Sequence, residues 1–196
     1  MSTANTGNDS ASCFQVSSAS HQRTSRGGGF GLWLMATLFL LCVAACDPLT
    51  GTGPGTPPDP KTFIKVFPAT LTGVVTLIAG HPATDNQFNY DGYSSGALVL
   101  TVPVGWQVTI QCLNHGTVPN SCAVVADGKA TEPVQPDWST ANPQRGLDPG
   151  QSSGFVINPD APGSYRIASL VGGNEASGMW ADLEVTEGGV PTLTAP

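Results

Sequence analysis

The sequence has few charged residues, and few basic ones in particular. Charged side chains make up 11% of the 196 residues, with seven lysines and arginines against fourteen aspartates and glutamates, for a formal net charge of −7. The basic residues are scattered singly, whereas a nucleic-acid surface needs a basic stripe. The composition therefore excludes nucleic acid as an expected partner.

Long amphipathic helical patterns are also missing after residue 50. The 24 glycines and 17 prolines are too many for a helical bundle. Between short runs of Val, Ile, Leu and Thr they are typical of turns in an all-β fold. A chain of this length holds one domain with a real core, plus extensions. Seven runs are candidate strands: 71–79, 97–102, 106–113, 122–126, 154–157, 164–170 and 179–186.

One long hydrophobic run lies near the N-terminus, at residues 27–46. Arg23 and Arg26 precede it, and Asp47 follows it directly. Twenty helical residues cover about 30 Å, so the run is long enough to cross a bilayer with its start on the cytoplasmic side. Its end, Val-Ala-Ala-Cys, resembles a bacterial lipobox, which implies a lipid on Cys46. Whether the run is a membrane-spanning helix or Cys46 carries a lipid, we expect the rest of the chain to be tethered at the periplasmic side of the inner membrane. The sequence leaves open whether residues 1–45 are cleaved.

The composition divides the chain into five parts. Residues 1–26 form a leader and 27–46 a hydrophobic signal or anchor. Residues 47–62 read as a proline- and glycine-rich linker. We expect a β domain over 63–187 and a frayed tail over 188–196.

Cysteine is scarce in the exported part. Only Cys112 and Cys122 follow Asp47, an even number in an oxidising compartment. Alternation along 106–113 places Cys112 on the buried face, and Cys122 begins the next run, close enough for a hairpin or a crossover to the facing sheet. We predict a disulfide between them, and two buried free thiols are the alternative.

Two stretches of the exported part carry longer motifs. Residues 88–125 contain FNYDGYSSG and VPVGW, and residues 163–185 end in ASGMWADLEV. Together they resemble the sulfocyanins, membrane-linked blue-copper proteins of the cupredoxin superfamily. The resemblance implies a cupredoxin-type Greek-key β-sandwich of about seven or eight strands, preceded by a single hydrophobic membrane segment, and an ancestor that carried single electrons.

The copper ligands are where the sequence departs from the sulfocyanin pattern. In that pattern the first ligand is a histidine that follows Val-Pro. The other three come from one loop near the C-terminus, in the order cysteine, four residues, histidine, four residues, methionine. The resemblance maps these four positions onto Asn120, Ser169, Asn174 and Met179. A serine oxygen is hard and stays protonated near neutral pH, and asparagine oxygens are poor copper ligands. We therefore expect three of four ligands to be lost, and no metal or other cofactor.

Enzyme chemistry has little support in the sequence. The string Gly-Tyr-Ser94-Ser-Gly matches the Gly-x-Ser-x-Gly of hydrolases. That motif requires a strand-to-helix turn, and an alternating strand pattern follows here instead. No phosphate loop occurs, and neither His81 nor His115 stands beside an acidic pair. We expect neither an enzyme nor a small-molecule substrate.

The sequence thus predicts a metal-free, redox-inactive domain that docks onto a membrane complex. Cupredoxins ordinarily dock through a flat apolar face beside the copper loop. The resemblance places this docking face at Val118, Pro119, Leu170 and Val171. The implied partner is an integral membrane electron-transfer complex: an oxidase, a cytochrome complex or a photosynthetic reaction centre. The alternative is a copper-binding electron carrier or copper chaperone with a rebuilt ligand set, for which His115 and Met179 remain candidates.

The disulfide is directly testable. Alkylation of the unfolded chain should label Cys112 and Cys122 only after reduction, because a disulfide sulfur does not react with the reagent. Intact-mass and peptide mass spectrometry before and after reductant reads out the labelling. Labelling of either cysteine without reductant would contradict the pairing.

Overall fold

Two β-sheets pack face to face around one hydrophobic core in the computed structural model, which describes residues 55–196. Among these residues, no helix is long and apolar enough to cross a membrane. The leader, the hydrophobic run with Cys46, and linker residues 47–54 lie outside the described part.

Nine strands make up the two sheets. In chain order they are β1 (Ile64–Phe67), β2 (Thr72–Ala79), β3 (Val99–Pro103), β4 (Gln107–Asn114), β5 (Ala123–Val125), β6 (Ser152–Ile157), β7 (Gly163–Ala168), β8 (Trp180–Thr186) and β9 (Thr192–Thr194). Sheet A has the order β1-β2-β4-β6, and sheet B the order β5-β7-β8-β3-β9. The pairs β2/β4 and β3/β8 are parallel and the others antiparallel. The expected all-β sandwich is confirmed.

Alternating side chains produce the two-layer arrangement. In β4 every second residue is buried, so Val108, Ile110 and Cys112 face the core while the residues between them face outward. Strand β2 alternates in the same way and contributes Val75 and Leu77. A strand with one apolar face must bury that face against another layer, which here is sheet B.

The C-terminal segment corrects one expectation, because residues 188–196 are not a frayed tail. Thr192–Thr194 forms β9, which pairs antiparallel with β3. Leu193 is almost completely buried in the core. Two glycines and two prolines among these nine residues hide the short strand from sequence analysis, and its single apolar side chain anchors it in the core.

The linker expectation is also wrong at its C-terminal end, because the domain begins before residue 63. Pro60–Phe63 forms a 3-10 helix, capped where the Asp59 carboxylate accepts the Lys61 backbone N–H at 3.0 Å. Pro60 is buried, and the Tyr93 hydroxyl donates a hydrogen bond to the Pro58 carbonyl at 3.0 Å.

Cys112 and Cys122 form a disulfide, with their Cα atoms 6.1 Å apart. Cys112 belongs to β4 of sheet A, and Cys122 lies directly before β5 of sheet B. Both residues are completely buried. The bond therefore joins the two layers covalently through the core.

Asp91 is a completely buried carboxyl group in the loop before β3. Its Oδ1 accepts the backbone N–H of Ile78 at 2.8 Å, and its Oδ2 has no hydrogen-bond partner among the described residues. Burial raises the pKa of Asp91 to about 7, opposed only by the Ile78 N–H. A buried carboxylate with one unpaired oxygen favours the protonated form.

This raised pKa predicts that stability falls as pH rises. The unfolded chain releases the Asp91 proton near the ordinary value of 3.8, whereas the folded chain keeps it until about 7. Between those values the unfolded state binds fewer protons, so the free energy of unfolding declines, by roughly 4 kcal/mol for a shift of this size. Urea unfolding between about pH 4 and pH 8 should show this decline in wild type and lose most of it in Asp91→Asn.

The matched control for this experiment is the exposed carboxylate Asp160. Asp160→Asn removes a carboxylate at a site without burial and should keep the wild-type slope. Equal slopes in wild type and Asp91→Asn would contradict the assignment.

Candidate functional site

Two loops that the sequence singled out meet at one end of the sandwich. The connection from β4 to β5 carries Asn120, and the loop from β7 to β8 carries Ser169, Asn174 and Met179. All four side chains are buried, with exposed fractions of 0%, 1%, 6% and 0%. Positions far apart in sequence therefore share one buried region.

The side-chain amide of Asn174 joins the two loops. Its Nδ2 donates hydrogen bonds to Asn120 Oδ1 at 2.8 Å, to Ser169 Oγ at 3.2 Å and to the Pro119 carbonyl at 3.0 Å. The Pro119 carbonyl can only accept, so it fixes which end of the amide is the donor. We call Asn120, Ser169 and Asn174 the polar triad.

A second layer of amides orients the triad. Asn120 Nδ2 donates to Asn114 Oδ1 at 3.0 Å and to the Val118 carbonyl at 3.2 Å. Asn114 Nδ2 donates to the carbonyls of Val118 and Leu147, both at 2.8 Å. Because buried polar groups are costly unless they are paired, these bonds keep the triad in one arrangement.

Ser121 adds a reciprocal link between the loops. Its backbone N–H donates to Ser169 Oγ at 3.1 Å, and its own Oγ accepts the backbone N–H of Leu170 at 3.0 Å. The buried hydroxyl of Tyr90 donates to the Ser121 carbonyl. Burial raises the pKa of Tyr90, so this hydroxyl stays a donor.

Sequence reasoning missed Asn114, Ser121 and Tyr90. One signal was available for Asn114, because it continues the buried alternation of Val108, Ile110 and Cys112 in β4. A polar residue on a core-facing position needs a partner inside the protein. Nothing comparable in the local pattern marks Ser121 or Tyr90.

Met179 closes the loop of the triad through its backbone. Its N–H donates to the Asn174 carbonyl at 3.0 Å, and its carbonyl accepts the Ser169 N–H at 3.1 Å. The Met179 side chain lies completely buried in the main hydrophobic core. A thioether there fills space between the sheets.

The β7–β8 loop also forms hydrogen bonds with the segment of serines and glycine that precedes β3. The N–H groups of Ser95 and Gly96 donate to the carbonyls of Gly178 and Trp180 at 2.7 and 3.0 Å. A Cβ on Gly96 would lie 2.2 Å from a Trp180 ring carbon, so only glycine fits there. The segment runs into a strand, which is not the strand-to-helix turn of a hydrolase nucleophile at Ser94.

As a donor set, these side chains do not fit a blue-copper ion. Such a site needs a thiolate and two imidazoles with a weak axial thioether, whereas the triad supplies one hydroxyl and two carboxamides. Its amide N–H groups already donate hydrogen bonds to side-chain and backbone oxygens, and Asn120 Oδ1 and Ser169 Oγ already accept hydrogen bonds. Over residues 55–196, no three His, Cys, Asp or Glu side chains lie close enough to hold a metal.

Two histidines of the described residues, His81 and His115, lie near each other but take no part in the triad's hydrogen bonds. His115 is exposed, and His81 is half-buried, with its Nδ1 accepting the Ala83 N–H at 3.1 Å. Burial, and secondly the charge of His115, lower the pKa of His81. Because Nδ1 accepts this hydrogen bond, the neutral imidazole of His81 carries its proton on Nε2 and has no free lone pair for a metal in this arrangement.

The expected docking residues Val118, Pro119, Leu170 and Val171 are half-buried and belong to the same two loops. Beside Leu170 and Val171 lies an open groove of about 600 Å³. In its wall, the guanidinium of Arg166 lies 3.7 Å from the centre of the Trp180 ring and 3.3 Å from the Glu175 carboxylate. This wall is fixed by a cation–π contact and an ion pair.

Comparison with known proteins adds independent findings. The family described as "Sulfocyanin (SoxE) domain" matches residues 60–195. The sulfocyanin of Sulfolobus acidocaldarius is 30% identical over 138 residues, covering 64% of this chain and 67% of that protein. Reduced auracyanin from the photosynthetic bacterium Roseiflexus castenholzii has a TM-score of 0.43 at 20% identity, over 59% of this chain and 97% of its own. Rusticyanin from Thiobacillus ferrooxidans has 0.41 at 16%, over 63% and 96%.

If the triad and Met179 occupy a former metal cage, restoring the ligands should restore the metal. Asn120→His, Ser169→Cys and Asn174→His together should bind one copper per chain with an intense visible band, which a thiolate bond to Cu(II) produces. Absorption spectroscopy and metal analysis measure this result.

The control carries the two histidine substitutions and retains Ser169. It should remain without the intense band, because only the thiolate provides it. A triple variant that is folded by circular dichroism yet colourless with copper would show that these positions do not form the cage.

Proposed function

The chain belongs to the sulfocyanin family, and we propose that it works without copper, as a docking subunit of a membrane electron-transfer complex. In this proposal the domain is redox-inactive and is not an enzyme. It is held at the periplasmic face of the inner membrane by residues 27–46 or by a lipid on Cys46.

The observation that carries the proposal is the hydrogen bonding of Asn174. One amide group satisfies acceptors on both loops at 2.8 to 3.2 Å. In a copper protein, the metal crosslinks these loops through its ligands. Here the amide provides a crosslink of the same connectivity from neutral groups, so the loops are joined without a cation.

The triad supports docking because it lies directly beneath the docking face. The Pro119 carbonyl is bonded to Asn174, and the Leu170 N–H is bonded to Ser121. Each half of the face is thereby tied to the other loop. A surface that is rigid before binding loses less conformational entropy when a partner binds.

The distribution of charged side chains supports an apolar contact with the partner. The described residues contain five basic and twelve acidic side chains, a balance of −7. Val118, Pro119, Leu170 and Val171 carry none of that charge. Charged side chains of both signs lie in the neighbouring groove, and an apolar centre with a charged rim is typical of a protein interface. The partner proposed is an oxidase, a cytochrome complex or a photosynthetic reaction centre.

The proposed tether is the proline- and glycine-rich sequence that follows Cys46. Sequence of this composition is typical of a semi-extended linker. In this proposal it lets the domain contact the exposed part of an integral membrane complex.

The alternative is a copper-binding electron carrier or copper chaperone with a rebuilt ligand set. His115 and Met179 are its candidate ligands, and of these His115 is exposed whereas Met179 is completely buried. Metal analysis of the natively purified chain separates the two functions. Our proposal expects far less than one copper per chain and no visible band, whereas stoichiometric copper would support the alternative.

The docking face itself is testable by charge insertion. Leu170→Asp with Val171→Asp should release the protein from its complex, because two carboxylates would be desolvated at an apolar contact. Purification in mild detergent through a C-terminal tag, followed by mass spectrometry, identifies the chains that co-purify. Unchanged recovery of those chains would contradict this face.

The matched control places two aspartates on another apolar patch of similar size. Phe67 and Leu71 are 50% and 49% exposed on the β1–β2 turn. Phe67→Asp with Leu71→Asp should leave the complex intact. Equal loss in both variants would indicate an unspecific effect of charge.

A further inference from the structure

The two sheets have four edge strands, and three of these edges are protected. An open edge exposes unpaired backbone N–H and C=O groups, so natural sheets cover edges or place charge and proline on them. The edges are β1 and β6 in sheet A, and β5 and β9 in sheet B.

Both edges of sheet B are covered. At β5, the Val124 N–H donates to the Trp138 carbonyl at 2.9 Å, and the Val124 carbonyl accepts the Val134 N–H at 2.8 Å. Strand β9 has only three residues, follows Pro191, and lies against the 3-10 helix Pro60–Phe63. Neither edge can accept another strand without displacing these segments.

The β1 edge of sheet A is short and charged, whereas the β6 edge is open. Strand β1 has four residues, carries the exposed Lys65 and is followed directly by Pro68. Strand β6 has six residues without charge or proline. Among the described residues, no backbone hydrogen bond reaches its outer edge, since its ladder runs only to β4.

The surface next to β6 is uncharged as well. Ser152, Gly154 and Val156 face outward beside Thr109, Gln111 and Leu113 of β4. Both strands line a shallow depression of about 610 Å³. The described residues carry a net charge of −7, so an uncharged patch is where two copies approach with the least local repulsion.

We propose that β6 pairs antiparallel with β6 of a second copy and makes one continuous eight-stranded sheet from two copies of sheet A. A two-fold axis relates the strands, and opposite residues of an antiparallel pair share a face. The axis therefore passes through Gly154 or Phe155. Val156 then lies opposite Ser152 or Gly154 of the second copy, which are small enough to leave room for it.

The geometry limits the assembly to two copies. Pairing uses the open β6 edge of each copy, and the remaining edges are covered, short or charged. One strand per copy buries less than the roughly 1,200 Å² of a standard stable interface. We expect a weak, concentration-dependent dimer and no larger species.

The test uses the full chain in mild detergent and sedimentation velocity over about a hundredfold range of concentration. Wild type should shift from monomer to dimer. Val156→Lys should weaken dimerisation at least tenfold, because the lysine places a charge and a flexible side chain at the edge. Val156→Thr keeps a β-branched side chain of similar volume and should dimerise as wild type does.

The control is Thr76→Lys, which adds the same charge to the outer face of sheet A but on β2, away from the edge. It should dimerise normally. Weaker dimerisation of Val156→Lys beside normal dimerisation of Thr76→Lys separates β6 pairing from association through residues 27–46, which would leave both variants dimeric. Amide hydrogen exchange of residues 152–157 should slow as wild type dimerises. A monomer at all concentrations, larger oligomers, or equal effects of both lysine variants would overturn the proposal.

Discussion

The hydrogen bonds of the Asn174 amide are the interaction on which the arrangement of the two loops at this end of the domain depends. The amide is the donor for Asn120, Ser169 and the Pro119 carbonyl, and thereby joins the β4–β5 connection to the β7–β8 loop. Each acceptor is buried or half-buried, so a lost bond would leave a polar group unpaired inside the protein. The shape of the end surface follows from this one group.

Support for the triad comes from both layers of the sandwich. Asn114 ends β4 of sheet A, and Ser169 directly follows β7 of sheet B. The disulfide from Cys112 to Cys122 joins the same two regions a few residues away. Hydrogen bonds and a covalent bond therefore fix the relative position of the two loops, as a metal does in blue-copper proteins by coordination.

The sequence predicted the strands best where alternation was long. β2 and β4 were recognised because eight residues alternate between core and solvent, and the disulfide followed from the same alternation. β1 and β9 were missed because three or four residues are too short for a period to appear and, unlike the equally short β5, neither is a continuous apolar run. The linker boundary was misplaced because the composition of a proline-rich segment is the same whether the segment is solvated or packed. Pro60 is packed, since it is buried in the domain.

By itself, the sequence determined the fold class and the family resemblance, because both depend on side-chain periodicity and on local motifs that can be read along the chain. It also identified Asn120, Ser169 and Asn174 as residues that differ from a copper set. Only the tertiary structure decided that these three side chains bond to one another and to Asn114 and Ser121. Contacts between residues about fifty positions apart depend on sheet order and loop packing, which no local pattern encodes. The same is true of the open β6 edge, since strand order alone decides which strands are edges.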